Sequence, residues 1–210
     1  MLKPILFNTE MVKALMEGRK TMTRRLVKNK DIINAWDCEA DGTPVAWIDQ
    51  GTGDSYAPTM PCRYQPGDIL YVRETWTELC YVDPDGYTHY DQTLYYYAAD
   101  GTPDITLVDA DGFELDDQRI RWKPSIHMPK EAARIFLRVK SVRVERLKEI
   151  SASDAMAEGF TDWNEFVTLW DSTIPKHPNK FKSYPYYWKD NPWVWVIEFE
   201  RISKEDAGCV

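Results

Sequence analysis

The sequence predicts an α+β fold, a mixed β-barrel flanked by short helices, and three observations predict it. Its elements run strand, helix, several strands, two short helices and a closing strand. Helical periodicity is confined to brief stretches after residue 8 and between residues 151 and 170. No strand–helix–strand unit recurs and no internal repeat is visible, which argues against a doubly wound parallel sheet. The 210 residues fit one domain, residues 1–210, with insertions at about 29–60 and 77–118. A chain of this length buries most of its unfolded surface without staples.

Residues 4–7, Pro-Ile-Leu-Phe, form a short apolar run suited to a first strand. Asn8 or Thr9 can cap a helix in which Met11, Val12, Leu15 and Met16 fall on one side. Gly18 follows the last periodic residue, where a left-handed C′ residue belongs. Residues 29–66 are broken by Asp41-Gly42 and by prolines at 44, 58, 61 and 66, with one short strand expected at 45–48. Pro66-Gly67-Asp68 is a turn, and residues 69–73 follow it as a strand.

Between residues 77 and 118, turn signals at Asp83-Pro84-Asp85-Gly86, Asp100-Gly101 and Asp111-Gly112 surround an aromatic strand at 94–98. They suggest hairpins inserted into a smaller core. Residues 135–144 alternate on Ile135, Leu137 and Val139, then change phase to Val142 and Val144, a shift that either a bulge near Ser141 or a change of partner sheet would allow. Ser151 and Asp154 make a capping box for a short helix ended by Gly159. Thr161 is expected to start a second helix carrying Trp163, Phe166, Val167 and Trp170 on one side, and residues 193–202 alternate as the last strand.

Charge and composition narrow the function classes. Lys and Arg number 26 against 34 Asp and Glu, a net charge of −8 that disfavours broad wrapping of duplex DNA. A small anionic ligand, or a short single strand at one basic patch, remains compatible with it. Nine Trp and twelve Tyr point to a core and a cleft built from aromatic surface. The cysteines (38, 62, 80, 209) and histidines (89, 127, 177) are scattered, with no CxxC and no zinc spacing. No apolar run reads as a signal or a bilayer span, so a reducing cytoplasm without membrane attachment is expected, and no cofactor or metal.

Against the acidic background, residues 18–25 read Gly-Arg-Lys-Thr-Met-Thr-Arg-Arg. The plain reading is a solvated basic turn. The chemical reading requires Lys20 to be desolvated beside Arg19, Arg24 and Arg25, since burial and like charge both lower an amine's pKa. A neutral Lys20 could then take the proton of Thr23. Glu158, one residue before Gly159, is either a surface acid or a carboxylate facing a cleft, where a helix C-terminus would raise its pKa. Arg73-Glu74-Thr75-Trp76 is either a salt-bridged strand end or a stacking wall for a base. His127 stands in a proline-bounded loop, and no Ser-His-Asp order, G-x-S-x-G or P-loop occurs.

Together, Gly-Arg-Lys-Thr-Met-Thr-Arg-Arg, Pro-Gly-Asp-Ile-Leu-Tyr-Val-Arg-Glu-Thr-Trp, Pro-Ser-Ile-His-Met-Pro, the Ala-Glu-Gly at 157–159 and Trp-Val-Ile-Glu-Phe-Glu-Arg resemble the ASCH-domain family. They are similar in particular to its longer members from bacteriophages and prophages. The resemblance spans about residues 4–202 and is weakest at 29–60 and 77–118. It implies a PUA-like barrel with a cleft, and a possible RNA ligand. A small bacterial member hydrolyses N4-acetylcytidine, and its catalytic Lys, Thr and Glu would fall on Lys20, Thr23 and Glu158, the last by a looser match. Arg25 matches a further arginine of that enzyme. The implied activity is metal-independent removal of the acyl group from N4-acylated cytosine nucleosides, with Arg24, Arg25, Arg73, Glu74 and Trp76 as substrate contacts. Either Thr23, or a water activated by Glu158, is the nucleophile. The rival expectations are a non-catalytic RNA- or nucleotide-binding module and a ribonuclease-like activity.

Overall fold

A computed structural model describes residues 2–27, 35–38, 44–49, 55–56, 62–82, 87–107, 119–174 and 186–208. Its elements in chain order are β1 (Leu2–Leu6), α1 (Thr9–Met16), β2 (Met22–Leu26), β3 (Ala35–Cys38), β4 (Pro44–Asp49), β5 (Ser55–Tyr56), β6 (Ile69–Arg73), β7 (Trp76–Val82), β8 (Thr88–Tyr97), β9 (Phe136–Arg146), α2 (Ala152–Ala157), α3 (Trp163–Thr173) and β10 (Trp193–Ile202). The fold is α+β. Among these residues no helix is long and apolar enough to cross a membrane.

Five strands form the main sheet in the order β1-β6-β9-β10-β2, parallel between β1 and β6 and antiparallel elsewhere. The remaining strands pair apart from it, β3-β4-β5 and β7-β8. These two groups fall almost wholly in the segments that read as insertions. The expected turns at Asp41-Gly42, Asp83–Gly86 and Asp111-Gly112 lie outside the described residues.

Among the described residues, strand pairing does not close the barrel expected from the sequence. β1 and β2 are the two edges of the sheet and no ladder joins them. Side chains bridge the opening: Arg25 donates from Nη2 to the Leu6 carbonyl at 2.6 Å and lies over the Phe7 ring at 5.2 Å. Alternation reports which residues face the core, and it carries no signal for whether two edges find each other.

Local signals translate directly. Asn8 caps α1 through its side chain, accepting from Met11 N. Gly18 adopts φ +75°, with Gly18 N donating to Leu15 O and Arg19 N to Ala14 O, the Schellman pattern. Pro66 and Gly67 make a turn in which Asp68 N donates to Gln65 O, with Gly67 at φ +86°. Glu198 pairs with Ser141 while Phe199 pairs with Val139, so Lys140 is the extra residue of a bulge. Ser151 and Asp154 form the capping box of α2. Two details differ. Asp162 rather than Thr161 caps α3, because the Thr161 hydroxyl turns to Glu165. Met16 is 41% exposed, and Ala14 takes the buried position instead.

The bulge and the pleat sort the core onto two faces. Ile197, Phe199, Val139, Val142 and Trp195 pack with Ile5, Phe7, Val12 and Leu15 under α1. Met22, Val194 and Val196 pack with Leu147, Ala155, Phe166 and Trp170 under α2 and α3. Each large apolar side chain so buried contributes about 1.5–3 kcal/mol. The β7–β8 hairpin has its own cluster, with Trp76, Met128, Ala132 and Phe136. The residues of the basic cluster stand where the first two faces meet.

Candidate functional site

The Schellman turn delivers residue 20 to the end of α2. Lys20 N donates to Ala14 O, Thr21 N donates to Ala157 O, and Lys20 and Glu158 form an isolated antiparallel bridge. The Lys20 amine donates to Glu158 Oε2 at 2.7 Å and to the Glu158 carbonyl at 2.9 Å. The carbonyl contact places a cation at the negative end of α2. Both side chains are withdrawn from water, at 0% and 2% exposure.

Close packing makes this approach possible. Gly159 has φ +96°, and a Cβ there would stand 2.8 Å from the Ala14 Cβ and 3.3 Å from the Lys20 Cβ. Glycine is required for both the backbone conformation and the space.

Strand pleating then divides the cluster. Thr23 pairs with Ile197 and Arg25 with Trp195, so both belong to the face under α1. The Phe7 ring lies on this face with the Lys20 amine 5.5 Å from its centre and Arg25 on it as well. Thr23 is buried, at 1% exposure. Met22 and Arg24 take the opposite face, and Arg24 Nη1 lies 3.3 Å from the Met22 sulfur.

Burial pulls the Lys20 ammonium below the ordinary lysine value of 10.5, and the nearby charges of Arg25 and Arg24 act in the same sense. Glu158 opposes them through its charge and its hydrogen bond. Desolvation is the larger effect, so the site favours a neutral amine more than water does.

The expected substrate contacts divide. Arg25 shares the Phe7 ring with Lys20 and lies on the Thr23 face of β2. Arg24 turns inward: its side chain is fully buried and it donates to Glu145, Asp154 and Glu158. Arg73 also turns inward, donating to the Met128 and Ile126 carbonyls at 2.8 and 2.5 Å. Glu74 is 1% exposed and accepts both arms of Arg134 at 3.0 Å, with burial raising its pKa against that pairing. Trp76 is 3% exposed, packed against Tyr95 and under Lys123, and its indole N–H has no hydrogen-bond partner among the described residues. The strand end at 73–76 is thus a packing and ion-pair element of the hairpin region. Short sequence cannot separate it from a stacking wall, because both readings use the same residue types.

The sequence reading missed Glu145, Asp154 and Phe7. Glu145 alternates with charged neighbours and reads as a surface strand position. Asp154 serves the capping box, and the same carboxylate reaches Arg24 at 2.8 Å. Their role depends on contacts more than 100 residues apart, such as the 121 between Arg24 and Glu145.

A cavity of about 530 Å³ opens beside Glu158 and Gly159, between α1 and α3. Met11, Ala14, Phe160 and Leu169 give it apolar walls, and Glu10, Arg19 and Glu165 give it charge. Lys20 and Thr23 do not line it. Among the described residues no three His, Cys, Asp or Glu side chains gather as metal ligands would.

Comparison with protein-family models, with curated proteins and with solved structures returned no match to this chain.

Proposed function

We propose that this chain is an amidohydrolase that removes the acyl group from N4-acylated cytosine nucleosides, built on a PUA-like ASCH domain. One observation carries the reading: a fully buried lysine amine 2.7 Å from a buried carboxylate, next to a strand that presents Thr23 and Arg25. A buried ion pair is a poor source of stability, since desolvation offsets much of its attraction. Chemistry that needs a neutral amine gives such a pair a purpose.

In this reaction the Lys20 amine accepts the Thr23 hydroxyl proton, and the Thr23 oxygen attacks the acyl carbon. Arg25 stabilises the tetrahedral oxyanion, a contribution of about 3–4 kcal/mol for one well-placed donor. The acyl carbon–N4 bond then breaks, and the Lys20 ammonium returns the proton to the leaving amine. A water, deprotonated by Lys20, hydrolyses the acyl-Thr23 ester and restores the hydroxyl. Glu158 orients Lys20 throughout.

This route is better supported than attack by a Glu158-activated water. The two Glu158 oxygens already accept from Lys20 and, at 3.4 Å, from Arg24. Both Glu158 oxygens are thereby engaged in holding cationic side chains, which suits the orienting role given to Glu158 here. A purely anion-binding module is also less well supported, because Lys20 and Arg24 direct their charge at internal carboxylates.

Incubation with N4-acetylcytidine, followed by absorbance for cytidine, tests the reading. Wild type releases cytidine, while Lys20→Met and Thr23→Val do not, with their folding checked by circular dichroism. Failure of the wild type to release cytidine rejects it.

A further inference from the structure

Arg24 stands outside the reaction just described and yet is the most heavily bonded side chain near it. Its Nε and Nη2 donate to Glu145 Oε1 at 2.9 and 2.5 Å, and Nη2 also donates to Asp154 Oδ2 at 2.8 Å. Only Nη1 remains to point toward the Lys20–Glu158 pair, and it reaches Glu158 Oε1 at 3.4 Å. A guanidinium is a rigid planar fork, so fixing two of its nitrogens fixes the third.

The geometry points to Arg24 as a positioning residue that holds the Glu158 carboxylate against the Lys20 amine, with Glu145 and Asp154 anchoring Arg24 from behind. The catalytic part of this statement rests on the hydrolase reading; the positioning part does not.

The surroundings make the anchoring specific. Arg24 lies across β10 from β9, paired with Val196, which itself pairs with Arg143. Glu145 lies two residues beyond Arg143 on the same face. Arg143 completes the network, 3.3 Å from Glu145, 3.7 Å from Asp154 and paired with Glu198. Glu145 and Asp154 are thus each held by two arginines. Asp154 belongs to the first turn of α2 and Glu158 follows its last, so one guanidinium ties both ends of that helix to β2. Lys20 itself meets Glu158 from the end of α2 and Arg24 and Arg25 from β2.

Without Arg24, Glu158 Oε1 loses its partner in a dry site, and the carboxylate turns toward whatever water can reach it. Lys20 then loses its fixed orientation. Lysine in place of arginine keeps the charge but cannot bond three carboxylates with one planar group.

The test is NMR of protein labelled with ¹³C and ¹⁵N in lysine, with the Lys20 signal assigned by its loss in Lys20→Arg. A held, buried amine gives a signal protected from exchange with water. In Arg24→Gln, exchange at Lys20 rises about tenfold, equivalent to about 1.4 kcal/mol of lost restraint. Glu145→Gln and Asp154→Asn, which keep Arg24 and loosen its anchor, raise it in the same direction and carry the test if Arg24→Gln does not fold. In parallel, kcat for N4-acetylcytidine falls by up to about 100-fold with KM little changed, the cost of a small misplacement. Arg24→Lys does not restore it. Lys20 exchange that stays unchanged in all three variants overturns the proposal. If exchange rises while wild type hydrolyses no N4-acetylcytidine, the positioning role stands and the hydrolase reading alone fails.

Discussion

The Lys20 amine and the Glu158 carboxylate meet at 2.7 Å although 138 residues separate them in sequence. Neither element that carries them is long: α2 has six residues, and Lys20 sits in the connector before a five-residue strand. Their meeting depends on the Schellman turn after α1, on the glycine after Glu158 and on the Arg24 network. Each of these gives a measurable consequence.

Breaking the pair costs more than deleting it. Lys20→Met leaves Glu158 buried with only its long Arg24 contact, and Glu158→Leu leaves a buried amine with the residue-158 backbone carbonyl but no carboxylate to offset its charge. Each single change is expected to destabilise by about 3–5 kcal/mol. The double variant Lys20→Met/Glu158→Leu is expected to recover most of that loss, because two apolar side chains replace two desolvated charges. Urea unfolding of the three variants checks this, and a double variant as unstable as the sum of the singles contradicts it.

The Lys20 amine also sets a pH dependence. Its folded pKa lies below the ordinary 10.5. Between those two values the unfolded chain binds a proton that the folded chain has released, so stability rises with pH across that window. Below the folded value both states are protonated and the slope vanishes. The rate of hydrolysis rises as pH passes through the folded value, where the free amine appears, and levels off above it. Wild type minus Lys20→Met, measured as urea unfolding free energies from neutral pH up to about 10.5, should show a positive slope within that range; a difference flat throughout it argues against a lowered pKa.

Gly18 and Gly159 both have positive φ but differ in their surroundings. A Cβ at Gly18 meets nothing, whereas one at Gly159 meets Ala14 and the Lys20 stem. Gly18→Ala should cost about 1–2 kcal/mol from backbone strain alone. Gly159→Ala should cost more, since strain and overpacking add, with overpacking alone worth about 1–3 kcal/mol. Only Gly159→Ala is expected to lower activity in the fraction that remains folded, by pushing Lys20 away. Equal losses in both variants would count against the close packing.

Glu74→Ala separates structure from binding. The Glu74 carboxylate is buried against an Arg134 that is itself 27% exposed and also paired with Asp100 at 2.6 Å. Losing it should destabilise by about 1–3 kcal/mol, with no selective rise in KM for N4-acetylcytidine. A large rise in KM at unchanged stability would return Glu74 to the ligand.

The sequence made most elements of this protein legible because their causes are local. Asn8, Gly18, Gly67 and Gly159 mark caps and turns through backbone geometry that a few neighbouring residues decide. The phase change between Val139 and Val142 left a bulge or a change of partner sheet open, and the bulge at Lys140 is what forms. Strand alternation also placed Thr23 and Arg25 on one face and Arg24 on the other once β2 was known.

Contacts across the chain were beyond that reading. Nothing local says that the edges β1 and β2 would stay unpaired, with Arg25 bonding the Leu6 carbonyl across the opening. Nothing local says that Arg73, Glu74 and Trp76 would turn into the hairpin cluster while Glu145 and Asp154 converge on Arg24. The sequence determined which charges and hydroxyls this protein carries and at which turns they emerge. Tertiary structure decided which of them lose water together, and desolvation, which depends on every neighbour at once, is what separates a basic turn from a buried amine.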